Sequence, residues 1–159
     1  MIIKSFELNK INVKSSNFYL FYGENDGQKL ETISTNFNNF TKENTFKYNE
    51  KDIIQNNQLL FDKIYSKSFF EKEKLILISD ITDKVLDPIE QSINNDISDI
   101  KIILLAKRLD KKSKIRNFFE KQKDLIIIPF YEDNYQSLNL LITNFLKENN
   151  ILLSPQNIN

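Results

Sequence analysis

The chain has 159 residues and contains no histidine and no cysteine. Their absence excludes thiol nucleophiles, histidine-based catalytic triads, imidazole proton shuttles and metal sites built from His or Cys. A magnesium site made only of carboxylates remains open, because hard cations bind oxygen ligands. A chain without cysteine is also compatible with the reducing environment of the cytoplasm.

The chain also lacks an excess of either charge, since Lys and Arg number 22 and Asp and Glu number 22. As a whole it therefore carries no electrostatic sign of a nucleic acid or an anionic membrane as partner. No apolar stretch approaches the length of a membrane span, and an acid, Glu7, stands where a signal peptide would have its apolar run. We expect a cytoplasmic protein with no membrane partner, large enough for one domain with a true core.

Short apolar runs alternate along the chain with stretches of helical periodicity. Strands are predicted at residues 18–22, 45–48, 75–78, 100–106 and 125–130, and helices at residues 26–40, 52–66, 87 onward, 113 onward and 134–150. Such alternation predicts a parallel sheet covered by helices on both faces. The expected fold class is α/β, a three-layer, doubly wound domain with a mostly parallel five-stranded sheet.

Several local details of the helices follow from the same pattern. The first helix is expected to bury Leu30, Ile33 and Phe37 on one face. Asp87 followed by Pro88 is typical of a helix start, with the aspartate as cap and the proline at the first position. The last helix carries a strong apolar stripe, which either packs on this sheet or belongs to a following domain.

A degenerate phosphate-binding loop follows the first strand. If Gly23 takes the first position of the P-loop pattern, Lys29 falls on the lysine position, but Gln28 replaces the second glycine and Leu30 replaces the hydroxyl residue. Two of the four functional groups are missing, so we do not expect this loop to bind nucleotide. Lys29 is then interpreted as an ordinary solvated helix lysine.

Other assignments of the strand ends remain as alternatives. Asp80 follows the third strand, where an ATPase carries its magnesium-binding aspartate, but Ile81 stands where a second acid would follow. One alternative interpretation is therefore a P-loop nucleotide-binding enzyme with a degenerate motif. A third interpretation is a phosphoacceptor domain in which Asp80 accepts phosphate beside Glu24 and Asp26, although Ala106 stands where that site needs a hydroxyl.

Two adjacent phenylalanines, Phe69 and Phe70, lie between a helical pattern and a wholly apolar strand. Phe61, Tyr65 and Phe69 are spaced four residues apart, so an unbroken helix would carry Phe69 on its core-facing stripe. Alternatively, the two rings project as a plug, because exposed apolar patches usually mark interaction sites.

Four segments in order resemble the delta subunit of the bacterial DNA polymerase III clamp loader. They are Phe-Tyr-Leu-Phe-Tyr-Gly-Glu (18–24), Ser-Phe-Phe-Glu-Lys-Glu-Lys-Leu-Ile-Leu-Ile (68–78), Ile-Ile-Leu-Leu-Ala-Lys-Arg-Leu-Asp-Lys-Lys-Ser-Lys-Ile (102–115) and the closing amphipathic helix. The resemblance covers the family's ATPase-like (AAA+-like) clamp-binding domain with residues 1–135, and the start of a second, helical domain with residues 136–159. Full delta subunits are about twice as long, so the resemblance implies that further domains are absent here.

The resemblance implies a specific function. The family's first domain has lost nucleotide binding and needs no cofactor; it is non-catalytic, although it belongs to the polymerase holoenzyme. It binds the ring-shaped sliding clamp, helps open it for loading on DNA during replication, and meets the other clamp-loader subunits through its further domains, so that it acts on DNA indirectly. The clamp-binding residues would be Ser68, Phe69, Phe70 and Glu71.

One basic cluster remains, in residues 107–116. It is either a solvated loop and helix start, as short charge runs usually are, or a contact with DNA or a neighbouring subunit. The residues that would make this contact are Lys111, Lys112, Lys114 and Arg116.

Overall fold

A computed structural model of the chain describes residues 16–65, 73–93 and 99–151. Five parallel strands form one sheet in the order β2-β3-β4-β1-β5. The strands are β1 (Phe18–Tyr22), β2 (Thr45–Asn49), β3 (Lys74–Ser79), β4 (Ile100–Ala106) and β5 (Ile126–Pro129). The helices are α1 (Asp26–Asn36), α2 (Glu50–Gln55), α3 (Asn57–Tyr65), α4 (Leu86–Ile93), α5 (Lys114–Lys121) and α6 (Tyr135–Glu148), with a 3₁₀ turn at Asp83–Val85 before α4. The predicted five-stranded parallel sheet is confirmed.

Strand β1 shows how the sheet acquires two covered faces. All five of its residues are buried, and alternate side chains point to opposite faces. Phe18, Leu20 and Tyr22 join a cluster with side chains of α2, α3, α4 and α5. On the opposite face, Tyr19 and Phe21 pack with side chains of α1 and of the segment that follows it. The three-layer arrangement predicted from the uninterrupted apolar strands is therefore present.

Two predicted helix starts are confirmed by their caps. The side chain of Ser113 accepts a hydrogen bond from the backbone N–H of Arg116 and opens α5. Asn134 caps α6 through a reciprocal pair with Ser137. The prediction for Asp87 is wrong, because α4 begins one residue earlier, at Leu86, directly after the 3₁₀ turn. Thr82 caps that turn instead, and the Asp87-Pro88 pattern does not indicate it.

Two further expectations about helices are also wrong. The single helix predicted over residues 52–66 is two helices, because the backbone of Asn56 is not helical and its side chain accepts a hydrogen bond from Gln58 N–H. Leu30 does not join Ile33 and Phe37 against the sheet, and its side chain is 62% exposed. Its place on α1 is taken by Lys29, which is buried.

Helix α6 contributes no side chain to the two clusters of buried residues that form the core. The predicted helix is present, but none of its residues is buried. Leu138, Leu141, Ile142 and Phe145, spaced to form one stripe, are all exposed. Across the parts of the chain that the structure describes, no helix is both long enough and apolar enough to span a bilayer.

Candidate functional site

The carboxyl ends of the parallel strands place the sequence-predicted residues at one edge of the sheet. Gly23 follows β1, Asp80 follows β3, Lys107 follows β4, and Phe130 follows β5. In open α/β sheets, ligands bind in crevices at this edge. The segments between the strands and the next helices therefore decide what the edge can bind.

Gly23 makes the turn after β1 and lies in close contact with the backbone of Phe130 and Lys107. Its φ of +127° lies in a region that side chains rarely adopt, and a Cβ atom there would lie 1.9 Å from the carbonyl oxygen of Phe130. Its N–H donates to the carbonyl oxygen of Lys107 at 3.1 Å. The glycine thus allows close contact between the ends of β1, β4 and β5.

The ammonium group of Lys29 is bound internally. Its Nζ donates to the carbonyl oxygens of Gly23 at 2.7 Å and of Ala106 at 3.0 Å, and it lies 2.7 Å from a carboxylate oxygen of Asp26. Only 4% of Lys29 is exposed, so its interpretation as a solvated helix lysine is wrong. The reason is tertiary, since the second carbonyl belongs to a residue 77 positions further along the chain.

The carboxylate of Asp26 completes this arrangement from the solvent side. A hydrogen bond from Lys29 lowers the pKa of the Asp26 carboxyl, with desolvation opposing and the positive charge of Lys107 adding to the effect. The side chain of Asp26 is itself 70% exposed. It therefore balances the charge of Lys29 while remaining hydrated.

The backbone amides of the degenerate loop are also engaged. Asn25, which the sequence analysis did not single out, caps α1 by accepting a hydrogen bond from Gln28 N–H at 3.0 Å, and its carbonyl oxygen accepts from Lys29 N–H at 3.2 Å. In a P-loop such amides face phosphate. Here, they and the lysine bind the chain's own oxygens, and the exposed Leu30 stands at the hydroxyl position. An Asn three residues before a Gln is a capping signal that could have been found in the sequence.

Asp80, the residue shared by the two alternative interpretations, lies exposed at the end of β3. Its φ of 57° is in the left-handed region, which Asp tolerates better than most residues. Within residues 16–65, 73–93 and 99–151, no group of three acidic side chains is placed to hold a metal ion. The cluster of Asp80, Glu24 and Asp26 that a phosphoacceptor site needs is therefore not formed.

Between the ends of β3 and β4 the same edge opens into a cleft of about 600 Å³. Residues 80–84 form one wall, and residues 107–110 with Lys112 and Ser113 form the other. Asp83 holds the two walls together, because its Oδ1 accepts hydrogen bonds from Ser113 Oγ at 2.7 Å and from Ile115 N–H at 3.0 Å. Desolvation raises the pKa of the Asp83 carboxyl, but the hydrogen bonds from the start of α5 outweigh it, so the pKa is below its ordinary value.

The four predicted basic contact residues divide into two kinds. Lys111, Lys112 and Lys114 are exposed. Arg116 is turned inward: its Nε donates to Glu120 at 2.8 Å and its Nη1 to the carbonyl oxygen of Leu109 at 3.1 Å. The hydrogen bond to Glu120 raises the pKa of the guanidinium further, which therefore stays charged.

The ring of Tyr22 completes the surroundings of Arg116, whose guanidinium carbon lies 5.0 Å from the ring centroid. Burial raises the pKa of the Tyr22 hydroxyl to about 12, so the ring is neutral and attracts the cation through its π face. Arg116 thus ties α5 to the end of β1, and the structure does not group it with the exposed lysines.

The predicted clamp-binding residues lie outside the described residues. Helix α3 ends at Tyr65 and β3 begins at Lys74, and Ser68, Phe69, Phe70 and Glu71 fall between them. Their assignment stays a prediction.

Comparisons with known proteins bear on the fold. No family model matches the chain, and no curated protein matches it. Among solved structures, the chain is similar to the Bacillus subtilis DNA clamp loader delta protein (YqeN), with a TM-score of 0.66 and 16% identity over 91% of this chain and 46% of that one. The chain therefore spans less than half the length of that protein.

Two other solved structures match with lower geometric similarity. One is domain III of the Thermotoga maritima replication initiation protein DnaA, with a TM-score of 0.47 and 13% identity over 98% of this chain and 71% of that one. The other is a DNA replication initiation factor, with a TM-score of 0.46 and 20% identity over 96% of this chain and 51% of that one. The likeness to the delta protein agrees with the predicted α/β fold with a five-stranded parallel sheet.

Proposed function

We propose that this chain is a sliding-clamp-binding, non-catalytic domain of a clamp-loader delta subunit acting in DNA replication. The likeness of fold to a clamp loader delta protein carries the proposal, together with the ordered segments that resemble that family. The non-catalytic part is supported by Lys29, whose ammonium group already binds two carbonyl oxygens and a carboxylate.

The proposed contact with the clamp is an aromatic plug formed by Phe69 and Phe70. Burying each ring in an apolar groove would contribute roughly 1.5–3 kcal/mol, and neighbouring aromatic anchors are typical of binding hot spots. Ser68 and Glu71 would lie at the polar rim around them. If the domain binds the open form of a clamp interface more tightly than the closed form, binding shifts the ring toward the open state.

The test removes both rings and measures binding to a purified sliding clamp by titration calorimetry. Phe69→Ala with Phe70→Ala is expected to weaken binding at least 100-fold, since the loss of two anchors at roughly 1.5–3 kcal/mol each exceeds the 2.7 kcal/mol that this factor represents. The melting temperature is expected to change little.

A matched control truncates two apolar side chains that are exposed elsewhere. Leu141→Ala with Phe145→Ala removes groups that are 54% and 57% exposed on α6, and it is expected to leave clamp binding unchanged. Equal loss of binding in both double variants contradicts the plug. A large fall in the melting temperature of the Phe69 and Phe70 variant would indicate that these rings are part of the core instead.

The competing enzyme function is tested on the same chain. Titration with MgATP is expected to give no saturable binding, because the loop amides and Lys29 are engaged internally. Saturable MgATP binding that is abolished by Lys29→Met would replace the proposal with a nucleotide-binding enzyme.

We also propose that residues 136–159 belong to a second, helical domain and that this domain mediates contact with other clamp-loader subunits in the cytoplasm. The support is α6, which has a continuous apolar stripe and no buried residue. Amide hydrogen exchange in α6 is expected to slow when further helices are added to the chain. Unchanged exchange would contradict a second domain that packs on this stripe.

A further inference from the structure

The segment between β5 and α6 is fastened to the degenerate loop. It comprises residues 130–134, which we call the connector, and it leads directly into the helix that contributes no side chain to the core. The last four residues of the connector are exposed. Even so, three of its residues have partners at the end of β1 or in the loop that follows it, so the connector is held at defined points although it packs little.

Two of these residues hold the beginning of the connector. The backbone N–H of Phe130 donates to the carbonyl oxygen of Tyr22 at 2.7 Å, and the carbonyl oxygen of Phe130 accepts from the backbone N–H of Asn25 at 3.3 Å. The hydroxyl group of Tyr131, whose side chain is 69% exposed, is a hydrogen-bond partner of the Tyr22 hydroxyl. The connector thus extends the contact between β5 and β1 beyond the last residue of each strand.

The side chain of Asn25 makes the third contact and binds in two directions. Its Oδ1 accepts from Gln28 N–H at 3.0 Å and caps α1, and its Nδ2 donates to Asp133 Oδ2 at 2.8 Å. The other carboxylate oxygen of Asp133 accepts from Ser137 Oγ at 3.0 Å, in the first turn of α6. A continuous series of side-chain hydrogen bonds therefore runs from the start of α1 through Asn25 and Asp133 to the start of α6.

We propose that the degenerate loop fixes the direction in which α6 leaves the sheet, with Asn25 as the positioning residue. An amide suits this position because it offers an acceptor to α1 and a donor to Asp133 at the same time. A P-loop holds phosphate, whereas this loop holds the connector, so the direction of α6 is set within the chain and does not depend on nucleotide. The inference rests on the proposed second domain only for its consequence, which is that this domain keeps one direction relative to the sheet.

Exchanging the two side chains tests the contact between Asn25 and Asp133. Asn25→Asp keeps the acceptor that caps α1, since Asp and Asn are equally good caps, but it replaces the donor by a carboxylate that faces Asp133. Adding Asp133→Asn restores a donor opposite this carboxylate, and the remaining oxygen of the new amide still accepts from Ser137. The single variant is expected to loosen α6, and the double exchange is expected to restore its direction.

The direction of α6 is measured as a distance between two spin labels, which attach cleanly because the chain has no cysteine of its own. Lys51→Cys on α2 and Asn144→Cys on α6 introduce the labels at exposed positions, and double electron–electron resonance gives the distribution of distances. The wild type is expected to give one narrow distribution, with or without MgATP. In Asn25→Asp the population outside this distribution is expected to rise about two- to tenfold, the factor that the loss of one hydrogen bond represents. Asp133→Ala, which leaves the cap of α1 intact, is expected to have the same effect.

The matched control is Asn56→Asp. It makes the same change of charge at an exposed asparagine whose side chain also accepts a backbone hydrogen bond, from Gln58 N–H. The distribution of distances in this variant is expected to equal that of the wild type.

Three results overturn the inference. They are equal distributions in the wild type and in both Asn25→Asp and Asp133→Ala, a double exchange that stays as broad as the single variants, and a distribution that changes when MgATP is added. The last result would return control of α6 to a bound nucleotide. Clamp binding by Asn25→Asp, measured in parallel, is expected to match the wild type, so a failure here is distinguishable from a failure of the plug.

Discussion

Replacing Lys29 by methionine removes the ammonium group while keeping most of the apolar stem. The side chain loses hydrogen bonds to two carbonyl oxygens, of Gly23 and Ala106, and its contact with Asp26. Hydrogen bonds that involve a charged group contribute about 1.5–3 kcal/mol each. The gross loss is therefore about 3–6 kcal/mol, nearly all of it from the carbonyls.

Two effects decide how much of that loss is measured. Methionine avoids the cost of burying a charge, which offsets part of the loss, as replacements of buried ions by apolar groups show. The ion pair itself contributes at most about 1 kcal/mol, because Asp26 is 70% exposed and its charge is screened by water. We expect Lys29→Met to lower the free energy of unfolding by about 2–4 kcal/mol, or the melting temperature by about 10 °C. Asp26→Asn should cost less than about 1 kcal/mol.

Urea denaturation followed by circular dichroism measures both changes. Lys51→Met, at an exposed position on α2, is the matched control and is expected to stay within about 0.5 kcal/mol of the wild type. If Lys29→Met is as stable as this control, the ammonium group does not hold the ends of β1 and β4 together. If Asp26→Asn costs as much as Lys29→Met, the ion pair rather than the carbonyl contacts provides the stability.

The remaining predictions concern Gly23 and Asp83. Gly23→Ala is expected to lower the free energy of unfolding, measured by urea denaturation, by about 4 kcal/mol, since it combines a φ of +127° with a Cβ 1.9 Å from a carbonyl oxygen. Gly27→Ala is the control and should not lower it, because the Cβ would meet its nearest atom at 3.7 Å. Equal losses in the two variants would contradict this account. The pKa of Asp83 is below its ordinary value of 3.8, so its carboxylate stabilises the fold above about pH 4 and this contribution is lost as the pH falls through the lowered pKa. Asp83→Asn should therefore flatten the acid limb of stability against pH, and an unchanged limb would refute the assignment.

The elements of the fold that could be predicted are those fixed by short patterns. Uninterrupted apolar runs at residues 18–22 and 102–106 predicted buried parallel strands, because a strand covered on both faces has no polar side. Ser113 and Asn134 predicted helix starts, because a capping side chain binds an amide only three residues away. The break at Asn56 was missed because its neighbours, Ile53 and Leu60, keep an apolar spacing across it.

Of the candidate site, the sequence indicated the position of the degenerate loop but not the state of its lysine. A lysine on a helix is usually solvated, and nothing near Lys29 in the sequence shows that two carbonyl oxygens converge on it. The same limit applies to Arg116, which the sequence grouped with three lysines. Its partners are Glu120 on the same helix, which helical spacing could have indicated, and the ring of Tyr22 on β1, which it could not.

The order of residues alone determined the alternating α/β class, the absence of thiol and imidazole chemistry, and the loss of two P-loop positions, because each depends on residue type and local spacing. Tertiary structure alone decided that Lys29 is bound internally, that Arg116 faces inward while Lys111, Lys112 and Lys114 face solvent, and that a cleft opens between β3 and β4. These features depend on which strand ends become neighbours. Residues 23 and 106 meet only when β1 and β4 pair in the folded sheet.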